Sequence, residues 1–388
     1  MRALDLFTGV GGLALGLERA GFRSVAFVEW EREACETLKL NKAEGPKEAR
    51  EWNILQVDAR QLDYREFGED LDLLSAGPPC QPFSIAGRGR GYQDERDMFP
   101  VVFRAVRQLK PKFVLIENVR GLCSKRFMNY FNYIILQLTY PEITKAKGTD
   151  WFEHLKRLEN HHTRGGKFHG LSYRVVFRVL NAADYGVPQK RERLFIVGVR
   201  EDLGIEWSFP SPTHSLDALI WDQEVEGRYW ERHKIPPRPI TEIDHFAARR
   251  AQKVCSMLIP PATRPWVTVR DSLSDLEEWN GPANAKPYPG HTGSDPDMPA
   301  KTLKAGVHGV PGGENCVRLP GGGLRYFSVR EMARLQTFPD DFLFTGSWSV
   351  CARHLGNAVP VKLAEVLGRS IYNSLLQVPK IQAIHARG

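Results

Sequence analysis

The chain has 388 residues, of which 42% are hydrophobic, and it carries a formal net charge of +7 with an isoelectric point near 9.0. This length exceeds one ordinary core and predicts two globular domains, which excludes a disordered or fibrous protein. The chain has 53 basic and 46 acidic residues, and this moderate excess of positive charge favours a polyanionic partner such as nucleic acid. Six cysteines without a Cys-x-x-Cys pair argue against a disulfide framework and a cysteine-rich zinc site, so we expect a reducing cytoplasm. No apolar run reaches transmembrane length and no signal peptide is recognisable, so we expect no membrane association.

Short apolar runs alternate with amphipathic stretches over the first 200 residues. The runs predicted as strands are 3–7, 24–28, 54–57, 71–75, 113–116, 173–180 and 194–199. The stretches with helical periodicity are 12–20, 31–40, 98–109 and 128–138. This alternation predicts an α/β fold with a doubly wound, mostly parallel sheet, whose ligands bind at the carboxyl ends of the strands.

The chain changes in character after residue 200. Residues 201–329 are rich in proline and have few long periodic segments, whereas helical periodicity returns at 329–336 and 361–376. We therefore predict a catalytic and cofactor-binding domain at 1–200, completed by 345–388, and a smaller loop-rich domain at 201–344.

A polar insert spans about residues 140–170. It carries four histidines among lysines and arginines: His154, His161, His162 and His169. We interpret it as a solvated polar loop, and a metal site is the less favoured alternative.

The segment 77–84, GPPCQPFS, follows the predicted strand 71–75 and holds one thiol on a stiff turn. Its three prolines cannot continue a central strand, so Cys80 should lie at a strand's carboxyl end, where a nucleophile would be presented. A buried structural cysteine on a proline-rich turn is the alternative.

A glycine-rich turn, DLFTGVGG at 5–12, joins the first strand to the first helix, which allows a ligand to approach the backbone at a helix N-terminus. Glu29 and Trp30 follow the second strand, where an acid accepts hydrogen bonds from ribose hydroxyls and an indole stacks on adenine. Asp58 ends the third strand. Together these residues predict a nucleoside-bearing cofactor, although each carboxylate taken singly is equally well an ordinary surface acid.

Glu117 closes the buried strand 113–116, one strand away from Cys80, and can face the same cleft. The segment 189–193, QKRER, places Arg191 and Arg193 on one face of an extended strand. Such a guanidinium pair can hold a phosphate or a base carbonyl, and a solvated basic edge is the alternative.

With these residues in hand, the chain closely resembles the DNA (cytosine-5)-methyltransferases of prokaryotes. The resemblance rests on six motifs in the family's order, which are FTGVGG at 7–12, GPPCQPFS at 77–84, ENV at 117–119, QKRER at 189–193, REMARLQTFP at 330–339 and GNAVP at 356–360. The variable region between the fourth and fifth motifs, where this family places its target-recognition domain, coincides with the proline-rich residues 201–329, and we assign that domain to 201–344.

The resemblance implies a mechanism and its residues. The catalytic set would be the thiolate of Cys80, the proton-holding Glu117, and Arg191 and Arg193, with Arg193 favoured at the base. The S-adenosylmethionine site would comprise Phe7, Gly9, Gly11, Glu29, Trp30, Asp58, Pro79, Asn357 and Val359. Contacts to duplex DNA would come from Ser84, Arg88 and Arg90 on a mobile loop, and from Thr302 and Leu303 in the target domain. The flipped-out cytosine would be methylated at carbon 5 without a metal.

Three alternatives remain open. A dehydrogenase would use the glycine-rich turn and Glu29 but leave Cys80 and Glu117 unexplained. A transfer RNA cytosine-5 methyltransferase shares the fold and motifs, and a catalytically inactive DNA-binding regulator is the non-enzyme alternative. We expect a monomer in the cytoplasm, associated with the nucleoid while it acts on DNA, that protects host DNA in a restriction–modification system beside a separate restriction endonuclease.

Overall fold

The computed structural model describes residues 1–69, 71–79, 97–164, 169–273, 292–305, 314–319 and 323–378. Within these ranges, no helix is long and apolar enough to cross a membrane.

A seven-stranded sheet forms the centre of the first 200 residues. Its strands in chain order are β1 (Arg2–Leu6), β2 (Arg23–Glu29), β3 (Ile54–Gln56), β4 (Leu73–Ala76), β5 (Phe113–Val119), β6 (Tyr173–Asn181) and β7 (Glu192–Arg200). The spatial order is β3-β2-β1-β4-β5-β7-β6. Neighbours from β3 through β5 are parallel, whereas β7 is antiparallel to both β5 and β6. The predicted α/β fold with a mostly parallel sheet is confirmed.

Helices connect and cover these strands. In the first part they are α1 (Gly12–Arg19), α2 (Arg32–Glu44), α3 (Phe99–Leu109), α4 (Met128–Thr139) and α5 (Trp151–Arg164). Further along the chain they are α6 (Leu216–Ile220), α7 (Arg228–His233), α8 (Ile240–Ile243), α9 (His245–Cys255), α10 (Val269–Leu273), α11 (Val329–Leu335), α12 (Trp348–Asn357) and α13 (Val361–Leu375). Two small sheets pair β8 (His214–Ser215) with β9 (Arg264–Pro265) and β10 (Cys316–Arg318) with β11 (Leu324–Tyr326).

Both faces of the large sheet are buried. On one face, α3 and α4 pack side chains such as Phe103 and Ile134 against Leu4 of β1. On the other face, α1 and α13 pack Leu17 and Leu367 together. This two-sided burial explains why the parallel strands read as continuous apolar runs in the sequence.

The later helices belong to two further clusters. Helices α6 to α9 enclose a core of their own that includes Tyr229 and Trp230. Helix α11 lies inside the segment assigned by sequence to the second domain, yet Met332 packs in one cluster with Phe27 and Leu38 of the first part. The two parts of the chain thus share a continuous apolar cluster, which we call the apolar junction. The domain boundaries at 200 and 344 stay a prediction.

The insert at 140–170 is not the solvated loop that we expected. Residues 151–164 form α5, which packs on α4 through its buried Leu155 and Leu158. His154 is also buried, with Nε2 2.9 Å from the Ile143 carbonyl and Nδ1 3.2 Å from the Tyr133 hydroxyl. The apolar spacing at 151, 155 and 158 was the signal for this helix, and the charged residues between those positions obscured it. The described residues contain no cluster of acidic, histidine or cysteine side chains arranged to hold a metal ion.

Candidate active site

The predicted site residues of the first part gather at one edge of the large sheet. Phe7 follows β1, Glu29 ends β2, Asp58 follows β3 and Pro79 follows β4. Because these four strands are adjacent and parallel, their carboxyl ends open on the same side. Strand order reverses between β1 and β4, and ligands of doubly wound sheets bind in the crevice at such a reversal.

The glycine-rich turn after β1 adopts a backbone that few residue types accept. Phe7, Gly9 and Gly11 have φ angles of 59°, 56° and 87°. Among the described residues, no atom beyond the adjacent residues lies within 4 Å of the position that a Cβ would take on Gly9, so these residues leave space open there. A Cβ on Gly12 would lie 2.3 Å from the Val359 carbonyl oxygen. The absence of a side chain at Gly12 thus lets the segment that carries Val359 approach the start of α1.

Glu29 holds this turn in place. One carboxylate oxygen accepts the Gly9 N–H at 2.7 Å, and the other accepts the N–H groups of Trp30 and Glu31 at 2.8 Å each. A carboxylate offers about four acceptor positions, so capacity remains for a further donor such as a ribose hydroxyl. Burial raises the pKa of Glu29, although the three backbone N–H groups act against that shift. The neighbouring Trp30 is 69% exposed and presents its indole to the solvent at the site.

The remaining predicted cofactor residues are also placed around this edge. Asp58 forms a salt bridge with Arg60, whose Nη2 lies 2.6 Å from Oδ2, and the hydrogen bonds from Arg60 lower the pKa of Asp58. Asn357 is exposed at the end of α12, and Val359 is buried just beyond it. The carbonyl of Val359 meets Gly12 at the glycine-rich turn, so the carboxyl-terminal motif closes the same crevice.

Glu117 lies in the adjacent half of the crevice and is paired with Arg193. Arg193 Nε lies 3.1 Å from Glu117 Oε1, and both side chains are largely buried. The antiparallel pairing of β5 and β7 causes this contact, because it sets Val119 opposite Arg193 and so brings the end of β5 to the start of β7. Burial raises the pKa of Glu117, whereas the charges of Arg193 and Arg191 act to lower it. The net direction is upward, so this carboxyl holds a proton more readily than an ordinary glutamate.

The turn that leads to Cys80 lies directly beside Glu117. Asn118 Nδ2 donates to the Pro78 carbonyl at 3.2 Å, and a Cβ on Gly77 would lie 4.0 Å from Glu117 Oε2. Cys80 itself lies outside the described residues, as do the predicted DNA contacts Ser84, Arg88 and Arg90.

Arg191 does not share a surface with Arg193. Its side chain is fully buried, and its guanidinium donates to the carbonyls of Leu303 at 3.0 Å, Gly356 at 2.7 Å and Ala358 at 2.9 Å. The expectation of a base or phosphate contact is corrected here, because a guanidinium enclosed by backbone carbonyls has no face to offer a substrate. Arg191 lies just before β7 begins, so the strand alternation that we assumed for the two arginines does not hold.

The predicted DNA contacts Thr302 and Leu303 lie against residues 189–191, just before β7. Leu303 is 1% exposed and packs in the apolar junction, so the expectation of a DNA contact through its side chain is corrected. Thr302 is partly buried, and its hydroxyl donates to the Lys190 carbonyl at 2.6 Å. This Thr-Leu element is attached to the catalytic part by hydrogen bonds from both of its residues.

Two buried amides near Arg191 received no role in the sequence analysis, although both lie in motifs that it recognised. Gln189 Oε1 accepts the Leu303 N–H at 3.0 Å, and Gln336 Nε2 donates to the Ala358 carbonyl at 3.1 Å. Both side chains are fully buried. Neither amide has a local signal in the sequence, because Gln189 precedes the charged residues KRER and Gln336 lies in the mixed segment REMARLQTFP.

Comparison with known proteins agrees with this arrangement. A family model described as C-5 cytosine-specific DNA methylase matches residues 1–140 and 154–373, and its single gap falls in the insert and includes the first three residues of α5. The type II methyltransferase M.Eco47II of Escherichia coli is 34% identical over 387 residues, covering 97% of this chain and 80% of the relative. M.NgoMIV of Neisseria gonorrhoeae is 30% identical over 377 residues, covering 96% and 97% respectively.

A solved structure of similar fold is a triple mutant of Spodoptera frugiperda DNMT2, with a TM-score of 0.54, 18% identity, and coverage of 96% of this chain and 99% of that one. At that identity the likeness supports the fold alone. The family match spans nearly the whole chain and includes the glycine-rich turn, Glu117 and the segment around Arg193. The chain therefore belongs to the C-5 cytosine-specific DNA methylase family.

Proposed function

We propose that this protein transfers a methyl group from S-adenosylmethionine to carbon 5 of a flipped-out cytosine in duplex DNA, within a specific sequence. The observation that carries the proposal is the buried Glu117–Arg193 pair beside the turn that leads to Cys80. A proton-holding carboxyl and a guanidinium beside the turn that leads to a cysteine in the sequence suit attack on a pyrimidine ring.

The crevice fits S-adenosylmethionine, the cofactor that the family and fold imply. Glu29 would accept from the ribose hydroxyls, Trp30 would stack on the adenine, and Asp58 would contact the adenine amino group. The open turn at Phe7, Gly9 and Gly11, with Pro79, Asn357 and Val359, would enclose the rest of the molecule. When bound there, the cofactor supplies an electrophilic methyl group.

The chain's own residues would perform the remaining chemistry. The Cys80 thiolate adds to carbon 6 of cytosine, and the new electron density makes carbon 5 nucleophilic. Glu117 holds a proton at ring nitrogen 3 and so offsets the charge that the attack creates, which the upward shift of its pKa supports. Arg193 orients that carboxyl and lies within reach of the base carbonyl. Once carbon 5 has taken the methyl group, its proton passes to water and the electron pair of that C–H bond re-forms the 5,6 double bond. Cys80 leaves as the thiolate and nitrogen 3 returns its proton to Glu117, which regenerates the enzyme.

The substrate and the biological role are further parts of the proposal. The family description names DNA, and M.Eco47II and M.NgoMIV are named type II methyltransferases, which favours duplex DNA over transfer RNA and a restriction–modification role. Ser84, Arg88, Arg90 and Thr302 stay as proposed DNA contacts. Action as a cytoplasmic monomer, separately from a partner endonuclease, also belongs to the proposal.

The test is transfer of a labelled methyl group to unmethylated duplex DNA and, in parallel, to transfer RNA, followed by bisulfite sequencing of the DNA. We expect label in DNA at cytosines of one short recurring context, and none with Cys80→Ser. Transfer to RNA alone would show that the substrate is RNA, and no transfer to either nucleic acid would favour a catalytically inactive binding protein. In a separate experiment, loss of host survival without the enzyme would support the protective role.

A further inference from the structure

A buried set of hydrogen bonds joins two segments. One is the target element, residues 302–305, which contains the Thr-Leu element, and the other is the cofactor loop, residues 356–359, which contains the predicted cofactor residues Asn357 and Val359. We call this set the junction cluster and define it by the side chains of Gln189, Arg191 and Gln336. All three are fully buried. Gln189 Nε2 donates to Gln336 Oε1 at 3.2 Å, and Arg191 is joined to each glutamine through a shared backbone partner, Leu303 or Ala358.

On the target side, the cluster fixes the backbone of Leu303 at both of its polar groups. Gln189 accepts the Leu303 N–H at 3.0 Å, and Arg191 donates to the Leu303 carbonyl at 3.0 Å. The Thr302 hydroxyl bonds the Lys190 carbonyl at 2.6 Å. The position of the Thr-Leu element is therefore set by the segment that ends in Arg193.

On the cofactor side, the cluster fixes the two residues that flank Asn357. Arg191 donates to the carbonyls of Gly356 and Ala358, and Gln336 donates to the Ala358 carbonyl as well. A Cβ on Gly356 would lie 2.3 Å from the Ala305 backbone nitrogen. The cofactor loop and the target element are thus in direct backbone contact as well as being bonded to one guanidinium.

We infer that the junction cluster couples binding of the cofactor to binding of the target duplex, with Arg191 as the positioning residue. This inference rests on the proposed function. Arg191 is fully buried, and it would act through the three carbonyls that it orders on the two segments that would meet the ligands. A ligand that holds one segment lowers the cost of ordering the other, because buried carbonyls must keep their donors. Thermodynamic linkage then requires each ligand to tighten the other by the same factor.

The test measures this factor directly. Calorimetry gives the Kd of S-adenosylhomocysteine for the full-length protein with and without a duplex that contains the context methylated by the wild type. We expect the duplex to lower the Kd at least about fivefold in the wild type, which is the lower end of usual coupling factors. In Arg191→Lys the factor should fall close to one, since an ammonium group cannot reproduce the fork of the guanidinium.

Arg325→Lys is the matched control. Arg325 is also buried, and among the described residues its guanidinium donates to both oxygens of Glu331 and to the Tyr326 carbonyl. This variant should keep the wild-type factor even if it is less stable. Gly356→Ala tests the same coupling in another way, because its added methyl group would push the cofactor loop and the target element apart. It should also lower the coupling factor, and it replaces Arg191→Lys as the test if that variant does not fold.

A wild-type factor of one, or an unchanged factor in Arg191→Lys or Gly356→Ala, would overturn the inference while leaving methyl transfer intact. A wild type that methylates no duplex would instead refute the proposed function, and the inference with it. The two failures are therefore distinguishable.

Discussion

At the scale of single residues, the proposed mechanism depends on a carboxyl whose pKa is raised by its environment. Glu117 is buried, and this raises its pKa even though Arg193 contacts it at 3.1 Å. The protonated carboxyl can serve cytosine nitrogen 3, whereas the ionised carboxylate cannot. Activity should therefore fall as the pH rises through the raised pKa of Glu117.

Glu117→Gln should lower kcat about 100- to 10,000-fold, the usual contribution of a positioned acid. Glutamine cannot ionise, so the decline of kcat at alkaline pH should also disappear. The measurement is the pH profile of methyl transfer at saturating DNA and cofactor. An alkaline decline that persists unchanged in the variant would assign that decline to another group.

Arg193→Gln tests the electrostatic part of this account. The charge of Arg193 lowers the pKa of Glu117, so its removal should raise that pKa and move the alkaline decline of kcat to higher pH. Arg174→Gln is the control, because it removes the same charge from an exposed position on β6. A decline that moves to lower pH, or moves equally in both variants, would contradict the assignment.

Asp5, near the carboxyl end of β1, should make the stability of the fold depend on pH. It is buried, accepts the Ser75 hydroxyl through Oδ1, and has no partner for Oδ2 among the described residues. Burial raises the pKa of Asp5 from 3.8 to about 7. The folded protein binds this proton more tightly than the unfolded chain does. The contribution of this proton to the free energy of unfolding is therefore fully present below about pH 4 and is lost as the pH rises through about 7.

Asp5→Asn should therefore remove part of the decrease in stability between pH 5 and pH 8, on the order of 1–3 kcal/mol in the free energy of unfolding. Chemical denaturation at both pH values measures this difference. Glu206→Gln, at an exposed carboxylate, is the control and should leave the decrease unchanged. An Asp5 variant with the full wild-type decrease would show that another group is responsible.

At the scale of secondary structure elements, the close approach of α1 to the segment after α12 shapes the cofactor crevice. Gly12→Ala would place a methyl group 2.3 Å from the Val359 carbonyl oxygen. We expect a loss of about 1–3 kcal/mol in stability and a higher KM for S-adenosylmethionine, because Val359 must move. Gly198→Ala on β7 is the control, since its nearest neighbour would be at 3.4 Å. An unchanged KM in Gly12→Ala would show that the contact between Gly12 and the Val359 carbonyl does not affect cofactor binding.

Elements with a strong pattern were predictable from the sequence, and elements set by tertiary contacts were not. Helix α3 was predicted at 98–109 and is found at Phe99–Leu109, because its apolar face repeats clearly. Helix α5 was missed because histidines and charges interrupt its short apolar stripe. The reversal of β7 was also missed, since a strand's direction depends on its connection and leaves no mark in its own residues.

At the scale of the whole molecule, the sequence located the crevice but could not separate substrate contacts from internal ones. Glu29, Trp30, Asp58 and Glu117 were predictable because each ends or follows an apolar strand, and parallel strands bring such positions together. Arg191 and Leu303 were assigned to substrates, yet both are buried where the two parts of the chain meet. A contact between residues 191 and 303 depends on the packing of distant segments, which local patterns do not encode.

The central claim is that Cys80 forms a covalent bond to cytosine during methyl transfer to duplex DNA. The most direct measurement uses a duplex with 5-fluorocytosine at the methylated position, because fluorine cannot leave as a proton does and Cys80 then cannot depart. We predict a denaturation-resistant protein–DNA complex that requires S-adenosylmethionine, maps to the Cys80 peptide by mass spectrometry, and is absent in Cys80→Ser. Methyl transfer to ordinary duplex without any such complex, or a complex that persists in Cys80→Ser, would contradict the account.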